Sequence, residues 1–286
     1  MGLHLLLVAI LFIFASTSVS TTGNATEMEG KKQKKHFVLV HGSCHGSWCW
    51  YKLKPLLEAA GHRVTAMDLS ASGINPKSLD ELQTFSDYTL PLLEVMESIS
   101  PDEKVVLVGH SLGGMNMALA MEKYPNKISV AVFVTAFMPD TIHAPSFVLD
   151  KALEQTPEKE WLDTQFLPFG KNGHLTSVLF GPQMISSKLY QLCSPEDVAL
   201  AKSLLRPSSF FKEDLSKKRA FSNEGFGSVK RAYIVCAEDK AMKEEFQRWQ
   251  IKNSGVAIVK EIKNADHMVM LSKPQKLCQR LLDIVN

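Results

Sequence analysis

The chain has 286 residues, of which 45% are hydrophobic and 22% are charged, and its formal net charge is +2. A chain of this length can bury a large core without disulfides or structural metals, and its near-neutral charge argues against nucleic acid as the main partner. The five cysteines are an odd number and are scattered, so we interpret them as buried thiols instead of a disulfide framework. Cys44, His45 and Cys49 lie close in sequence, but no second ligand cluster completes a metal site.

The first 20 residues are a candidate signal peptide. They contain an apolar run, residues 5–15, of the length of a secretory h-region, followed by small and hydroxyl residues that suit cleavage. The run is too short to predict a transmembrane helix, so we expect no stable membrane span. Residues 21–35 are polar, carry a glycosylation sequon at Asn24, and are interpreted as a linker. The leader favours the secretory pathway, extracellular or vacuolar, and a cytoplasmic location is the alternative.

From residue 36 to residue 286 the pattern is that of one domain in which strands and helices alternate. Short apolar runs predict buried strands at 37–40, 64–67, 105–108, 130–137, 231–236 and 256–262. Apolar residues at helical spacing predict helices at 51–60, 88–99, 115–121, 243–253 and 274–285. Continuous apolar strands separated by helices predict an α/β fold, with a mostly parallel central sheet covered by helices on both faces.

Residues 141–227 break this alternation. Aromatic residues are spread there among short segments of mixed composition. We interpret the segment as an insertion folded over the sheet, in which some aromatic side chains form a small core and others roof a pocket. The sequence does not separate the two groups of aromatics.

The third predicted strand ends in a tight turn that carries a serine. The sequence from Gly109 to Gly113 is Gly-His-Ser-Leu-Gly, between an apolar strand and a segment of helix-forming composition. Glycines on both sides of Ser111 let the backbone fold tightly enough for the hydroxyl to stand clear. Ser111 is therefore the candidate nucleophile, and the flanking strand and helix distinguish this turn from an ordinary loop turn rich in glycine and serine.

Two further candidate catalytic residues follow later strands. A serine nucleophile needs a base to remove its proton and a carboxylate to orient that base. Ser111, Asp239 and His267 each come just after a predicted strand, and reactive groups collect at the carboxyl ends of parallel strands. The order Ser, Asp, His is that of α/β hydrolases. Spacing alone does not separate Asp239 from the neighbouring Glu238 as the acid.

The first predicted strand ends in His41-Gly42-Ser43, which suits an oxyanion hole. Gly42 lets this loop pass close under the nucleophile, so that the backbone N–H groups of Ser43 and Leu112 can both point at an oxyanion. Together with the candidate triad, this predicts acyl transfer through a covalent acyl-serine, with no cofactor. The sequence contains no Gly-rich dinucleotide fingerprint and no phosphate loop.

Several long segments resemble the plant methylesterase family of α/β hydrolases, which is related to the plant hydroxynitrile lyases. The segments are residues 36–58, 109–124, 161–168, 245–250 and 266–271. The resemblance extends from about residue 36 to the C-terminus, insertion included. It implies an α/β-hydrolase fold with a helical cap formed by the insertion.

The same resemblance implies roles for individual residues. It favours Asp239 over Glu238 as the acid of the triad, and it implies that Ser43 and Leu112 supply the oxyanion donors. The substrate-binding residues that it implies are Gly42, Trp161 and Met268.

Two positions bear on the type of reaction. The related lyases carry threonine at the position of Gly42 and lysine at the position of Met268, where the lysine offers a cation to departing cyanide. The apolar Met268 offers no charge to an anion, and Gly42 leaves room for an ester carbonyl to reach the oxyanion hole. An esterase is therefore favoured over a lyase.

We expect a serine carboxylesterase that hydrolyses methyl esters of small, largely apolar acids, because the family acts on methyl salicylate, methyl jasmonate and methyl indole-acetate. Residues 68–76 also resemble members that demethylate an alkaloid β-keto ester. A hydroxynitrile lyase and a ligand receptor built on a hydrolase fold are the alternatives. The expected partner is a small-molecule ester, and the oligomeric state stays open, with a homodimer as one option.

Overall fold

The structure, a computed structural model, describes residues 34–170 and 173–286. The candidate signal peptide, the sequon at Asn24 and nearly all of the predicted linker lie outside the described residues. The strands in chain order are β1 (His36–Val40), β2 (Arg63–Ala66), β3 (Val105–Ser111), β4 (Ile128–Ala136), β5 (Gln165–Phe169), β6 (Leu175–Leu179), β7 (Ser208–Ser209), β8 (Arg231–Cys236) and β9 (Ile258–Ile262).

The α-helices lie between these strands and after the last of them. In chain order they are α1 (Leu53–Ala59), α2 (Phe85–Ser98), α3 (Gly113–Lys123), α4 (Phe147–Glu154), α5 (Pro182–Met184), α6 (Pro195–Leu204), α7 (Lys212–Leu215), α8 (Glu244–Asn253), α9 (Val269–Ser272) and α10 (Pro274–Val285). Neither these helices nor any other in the described ranges combines the length and apolar character needed to span a membrane.

The central sheet has six strands in the order β2-β1-β3-β4-β8-β9, and each adjacent pair is parallel. Side chains alternate between its two faces. In β1, Val38 and Val40 pack into an apolar cluster with α2 and α3, whereas Phe37 and Leu39 pack into a second cluster with α1 and α10. The predicted architecture, a mostly parallel central sheet covered by helices on both faces, is confirmed.

The insertion between β4 and β8 contains more than helices. It carries α4 to α7 together with a separate antiparallel sheet in the order β5-β6-β7. The expected helical cap is therefore a mixed one. The reason lies in the composition of β5 and β6, whose phenylalanine, threonine and valine residues fit a pleated, half-buried surface.

Helix α2 begins earlier than its apolar spacing predicts, at Phe85 instead of Tyr88. The Thr84 hydroxyl accepts a hydrogen bond from the Asp87 N–H at 3.1 Å, and the Asp87 carboxylate accepts one from the Thr84 N–H at 2.9 Å. This reciprocal capping box satisfies N–H groups that a helix N-terminus leaves unpaired. Apolar periodicity cannot report a boundary that polar side chains set.

All five cysteines are free thiols. Cys44, Cys49, Cys236 and Cys278 are buried, and Cys193 is partly exposed. The burial of four of the five agrees with their interpretation as apolar packing residues, since free cysteine behaves as a small hydrophobe in protein cores.

Candidate active site

Ser111 occupies a strained corner at the carboxyl edge of the central sheet. It is the last residue of β3, and α3 begins two residues later at Gly113. Its φ is +52°, a left-handed conformation that residues with a side chain rarely adopt. Such strain persists only where the surrounding structure enforces it, and it is typical of functional sites. The predicted nucleophile is thus held at the end of a central strand.

The loop after β1, residues 41–45, which we call the oxyanion loop, is in direct contact with this corner. A Cβ on Gly42 would lie 2.8 Å from the Ser111 Cβ. A Cβ on Gly113 would lie 2.6 Å from the carbonyl oxygens of Val40 and His41. Both distances are too short for a real side chain, so glycine is the residue that lets the two backbones meet.

This contact places two backbone donors beside the nucleophile. Ser43 follows Gly42 in the oxyanion loop, and Leu112 follows Ser111 at the N-terminus of α3. In the described part of the chain, neither of their N–H groups donates to a carbonyl oxygen. The partial positive charge of the α3 N-terminus adds to the same field. The arrangement suits a negative oxygen that forms on a carbonyl bound to Ser111.

His41 orients the first of these donors. Its Nε2 accepts a hydrogen bond from the Leu69 N–H at 3.0 Å, so the ring proton is on Nδ1, which donates to the Gly42 carbonyl oxygen at 2.8 Å. That carbonyl belongs to the same peptide group as the Ser43 N–H. Burial lowers the pKa of His41, and the neutral ring is the form that these two hydrogen bonds require.

A second buried histidine, His45, is the last residue of the oxyanion loop and binds the Ser43 carbonyl group. Its Nδ1 lies 2.7 Å from the Ser43 carbonyl oxygen, to which it donates. His45 is 2% exposed, and desolvation lowers its pKa to about 3. The ring is therefore neutral throughout the physiological pH range.

His267 and Asp239 form a buried acid–base pair. The His267 Nδ1–H donates to Asp239 Oδ2 at 2.7 Å, and both residues are 4% exposed. Asp239 Oδ1 accepts the N–H groups of Ala241 and Met242, both at 2.8 Å. Since Nδ1 is engaged with Asp239, Nε2 is the ring nitrogen available for proton transfer. Glu238, the alternative acid, is exposed and takes no part in the pair.

Thr135, which sequence reasoning missed, supplies a further donor to the acid. Its hydroxyl donates to Asp239 Oδ2 at 2.5 Å. The pairing of β3 with β4 skips Thr135, because His110 faces Val134 and Ser111 faces Ala136. This bulge and a φ of +36° turn the Thr135 side chain toward the acid, as bulges beside active sites commonly do. Its polar side chain in an apolar strand was the available signal.

His110 connects the loop that carries His267 to the corner at Ser111. Its Nε2–H donates to the His267 carbonyl oxygen at 2.8 Å, and the two imidazole rings lie 4.6 Å apart between centroids. Burial, followed by the neighbouring His267, holds the pKa of His110 well below its usual range. Its Nδ1 has no hydrogen-bond partner among the described residues. Because His110 directly precedes Ser111, this contact holds His267 next to the corner.

Trp161 lines two cavities: cap residues together with Phe137 and residues of 240–249 form the walls of one, and cap residues alone form the walls of the other. Their volumes are about 540 Å³ and about 470 Å³. Neither Ser111, Asp239 nor His267 lines the larger one, but it borders the candidate site: its wall includes Met242, whose N–H donates to Asp239, and Phe137, whose N–H donates to the Ser111 carbonyl oxygen at 3.0 Å. Such volumes are typical of small-molecule sites.

The predicted site residues therefore fall into three groups. Most of them meet at the carboxyl edge of the sheet: Ser111, Asp239, His267, Gly42, Ser43 and Leu112. Trp161 lies in the cavity walls. Met268 directly follows His267, but its side chain is wholly buried in the apolar cluster of α1 and α10 and lines neither cavity.

Replacing Thr135 with valine keeps the shape of the side chain and removes its hydroxyl, so Asp239 loses one donor. A hydrogen bond to a charged group is worth about 1.5–3 kcal/mol, so we expect kcat for an ester substrate to fall roughly 10- to 100-fold. Thr135→Ser retains the hydroxyl and is the matched control. Steady-state kinetics of both variants tests this, and equal rates for the valine and serine variants would show that the hydroxyl does not hold Asp239 productively.

The buried His45 makes the folded state sensitive to mild acid. Its pKa is about 3 when folded, against an ordinary value of 6.5, so below 6.5 the unfolded chain binds a proton that the folded chain does not. The free energy of unfolding is therefore retained above pH 6.5 and declines toward pH 3, by up to ~1.4 kcal/mol per pH unit from this residue. Urea unfolding across this range, compared with the non-titrating variant His45→Gln, measures the effect. A variant with the parent's pH slope would contradict it.

The profile of the Alpha/beta hydrolase family matches residues 37–280. Salicylic acid-binding protein 2 from Nicotiana tabacum is 66% identical over 256 residues, covering 89% of this chain and 98% of the relative. Methylesterase 1 from Arabidopsis thaliana is 55% identical over 260 residues, covering 91% of this chain and 99% of the relative.

A solved structure shows that the similarity includes the path of the backbone. The crystal structure of polyneuridine aldehyde esterase is 58% identical and superposes with a TM-score of 0.87, covering 89% of this chain and 100% of that chain. The matches include the cap as well as the central sheet, and they confirm the resemblance to plant methylesterases. The chain belongs to the α/β-hydrolase family.

Proposed function

We propose that the protein is a serine carboxylesterase that hydrolyses methyl esters of small, largely apolar acids. The observation that carries the proposal is the buried 2.7 Å hydrogen bond between His267 and Asp239, at the sheet edge where Ser111 occupies its strained corner. The N–H groups of Ser43 and Leu112 support it, because acyl transfer needs donors for an oxyanion and neither group donates to a carbonyl oxygen in residues 34–170 and 173–286. The relative named methylesterase 1 supports the choice of a methyl ester.

Each residue has one role in this reaction. Nε2 of His267 takes the Ser111 proton as the hydroxyl oxygen attacks the ester carbonyl, and the N–H groups of Ser43 and Leu112 stabilise the resulting oxyanion. The intermediate collapses to an acyl-serine as the bond from the acyl carbon to the methoxy oxygen breaks and His267 gives its proton to that oxygen, which leaves as methanol. His267 then activates water, which releases the free acid. Asp239 holds the imidazole in its tautomer and stabilises its transient positive charge.

The larger cavity supports a substrate with an apolar acid part. Its wall includes Phe137, Trp161 and Met184, while Glu160 and Lys243 form an ion pair of 3.0 Å in the same wall. Methyl salicylate is supported by the relative named salicylic acid-binding protein 2, and an alkaloid β-keto ester by the one named polyneuridine aldehyde esterase. Methyl jasmonate and methyl indole-acetate are further candidates of the same size class.

Two other functions make different predictions. A hydroxynitrile lyase is disfavoured because position 268 carries a buried methionine, which offers no positive charge to departing cyanide. The relative named for binding salicylic acid supports a receptor role as the other alternative. A receptor binds its ligand tightly with negligible turnover, whereas an esterase turns over many times.

Product formation by purified protein from methyl salicylate, methyl jasmonate, methyl indole-acetate and an alkaloid β-keto ester tests the proposal. We expect one ester to yield methanol and free acid over many cycles, and Ser111→Ala to reduce kcat by roughly 10³-fold or more, because it removes the nucleophile. Tight binding without turnover would favour the receptor, and cyanide release from a cyanohydrin would favour the lyase. Turnover that survives Ser111→Ala would contradict the serine mechanism.

We also propose that residues 1–20 direct the chain into the secretory pathway, since residues 5–15 are an apolar run of h-region length. A fluorescent protein fused to the full chain should enter the endoplasmic reticulum, whereas a fusion that lacks residues 1–20 should stay in the cytosol. The N-terminus of the mature protein gives a second measurement. Cytosolic fluorescence of the full fusion, or a mature protein that still begins at Met1, would rule the proposal out.

A further inference from the structure

His45 connects the oxyanion loop to the cap. The Tyr190 hydroxyl lies 2.7 Å from His45 Nε2, and His45 Nδ1 lies 2.7 Å from the Ser43 carbonyl oxygen. The carbonyl oxygen can only accept, so Nδ1 carries the proton and Nε2 must accept from the Tyr190 O–H. The directions of both hydrogen bonds are therefore determined. Tyr190 is 1% exposed, so water does not compete for them.

The His45 ring is held in one plane by its neighbours. It stacks with the Trp48 ring, at 5.4 Å between centroids and 28°, and lies nearly parallel to the Tyr190 ring, at 5.9 Å and 13°. Stacking fixes the ring plane, and the two hydrogen bonds fix the rotation within that plane. A ring restrained in this way transmits the position of Tyr190 to the Ser43 carbonyl group.

The fold of the cap places Tyr190 at this position. Tyr190 follows a π-helical turn, Ile185–Leu189, and its N–H donates to the Ile185 carbonyl oxygen at 2.9 Å. Turns of this type are rare and occur frequently at functional sites. Cys44, which follows Ser43 in the oxyanion loop, also contacts the cap, because its thiol donates to the Val178 carbonyl oxygen at 3.2 Å.

The residues after Tyr190 contact the loops that carry Asp239 and His267. Gln191 Nε2 donates at 2.6 Å to the carbonyl oxygen of Glu238, which directly precedes the candidate acid. The Leu192 N–H donates at 2.9 Å to Oδ2 of Asp266, which directly precedes the candidate base. Residues 190, 191 and 192 thus contact, in turn, the oxyanion loop, the loop that carries Asp239 and the loop that carries His267. The cap is packed against all three loops through one short segment.

We propose that Tyr190 is a positioning residue for ester hydrolysis, which acts through His45 to aim the Ser43 N–H at the oxyanion. The inference rests on the proposed esterase function. His41 holds the carbonyl oxygen of Gly42, on one side of the Ser43 N–H, and His45 holds the carbonyl oxygen of Ser43 on the other. With both flanking peptide groups restrained, the N–H has one direction. The cap, through Tyr190, thereby helps to form the oxyanion hole as well as a wall of the pocket.

The variant Tyr190→Phe tests this directly, because phenylalanine keeps the stacked ring and removes only the hydroxyl. We expect kcat to fall about tenfold while KM stays within about twofold, since the oxyanion forms only after substrate has bound. His45→Asn keeps an amide N–H in the place of Nδ1 and should retain more of kcat than His45→Leu, which has no donor. Rescue by the amide distinguishes positioning from packing.

Tyr88→Phe is the matched control. Tyr88 is also 1% exposed, and its hydroxyl accepts hydrogen bonds of 3.4 Å from the Ser72 and Ser208 hydroxyls and forms none with the oxyanion loop among the described residues. The control removes an equivalent buried hydroxyl, so it should lower the midpoint of thermal unfolding comparably and leave kcat within about twofold of the parent. An equal loss of kcat in the two variants would overturn the proposal.

A second measurement separates this inference from the esterase proposal. A fluorophosphonate transfers its phosphonyl group to the Ser111 oxygen, fluoride leaves, and the serine proton passes to His267, so the labelling rate depends on the oxyanion hole and needs no known substrate. We expect Tyr190→Phe to be labelled about tenfold more slowly than the parent and Tyr88→Phe at the parental rate. An unchanged rate in Tyr190→Phe would refute the inference. Normal labelling of the parent without turnover of any ester would refute only the proposed methylesterase function.

Discussion

The candidate site depends on two backbone segments that approach more closely than side chains allow. A Cβ on Gly42 would lie 2.8 Å from the Ser111 Cβ, and one on Gly113 would lie 2.6 Å from the His41 carbonyl oxygen. The two segments continue β1 and β3, which are adjacent strands in the middle of the sheet. Ladder hydrogen bonds therefore determine how far the nucleophile lies from its oxyanion donors. A left-handed Ser111 is stable because this framework enforces it.

Three buried histidines beside the candidate triad are uncharged. His41, His45 and His110 surround the catalytic loops, and burial lowers the pKa of each, so each makes its hydrogen bonds as a neutral ring. The Asp239 carboxylate accepts from the Thr135 hydroxyl, the His267 ring and two backbone N–H groups. A positive charge that forms on His267 thus faces a fixed carboxylate, and preorganised dipoles need no rearrangement as it appears.

Sequence periodicity found the six strands of the central sheet because buried parallel strands are continuous apolar runs, and for β8 the predicted bounds, 231–236, are those observed. The candidates Ser111 and His267 were found because each follows such a run. Thr135 and Tyr190 were missed because their partners lie 104 and 145 positions away in sequence. Their placement also depends on a bulge in β4 and on a π-helical turn, which apolar patterns do not report.

The cap combines two tasks that place different demands on its sequence. Its cavity walls include Trp161 and Phe210. Residues 190–192 contact three catalytic loops, two of them through hydrogen bonds from a cap donor to a group directly preceding the acid or the base. A change in this segment would move those loops together. The cavity walls and the contacts to the three loops therefore lie in separate parts of the cap.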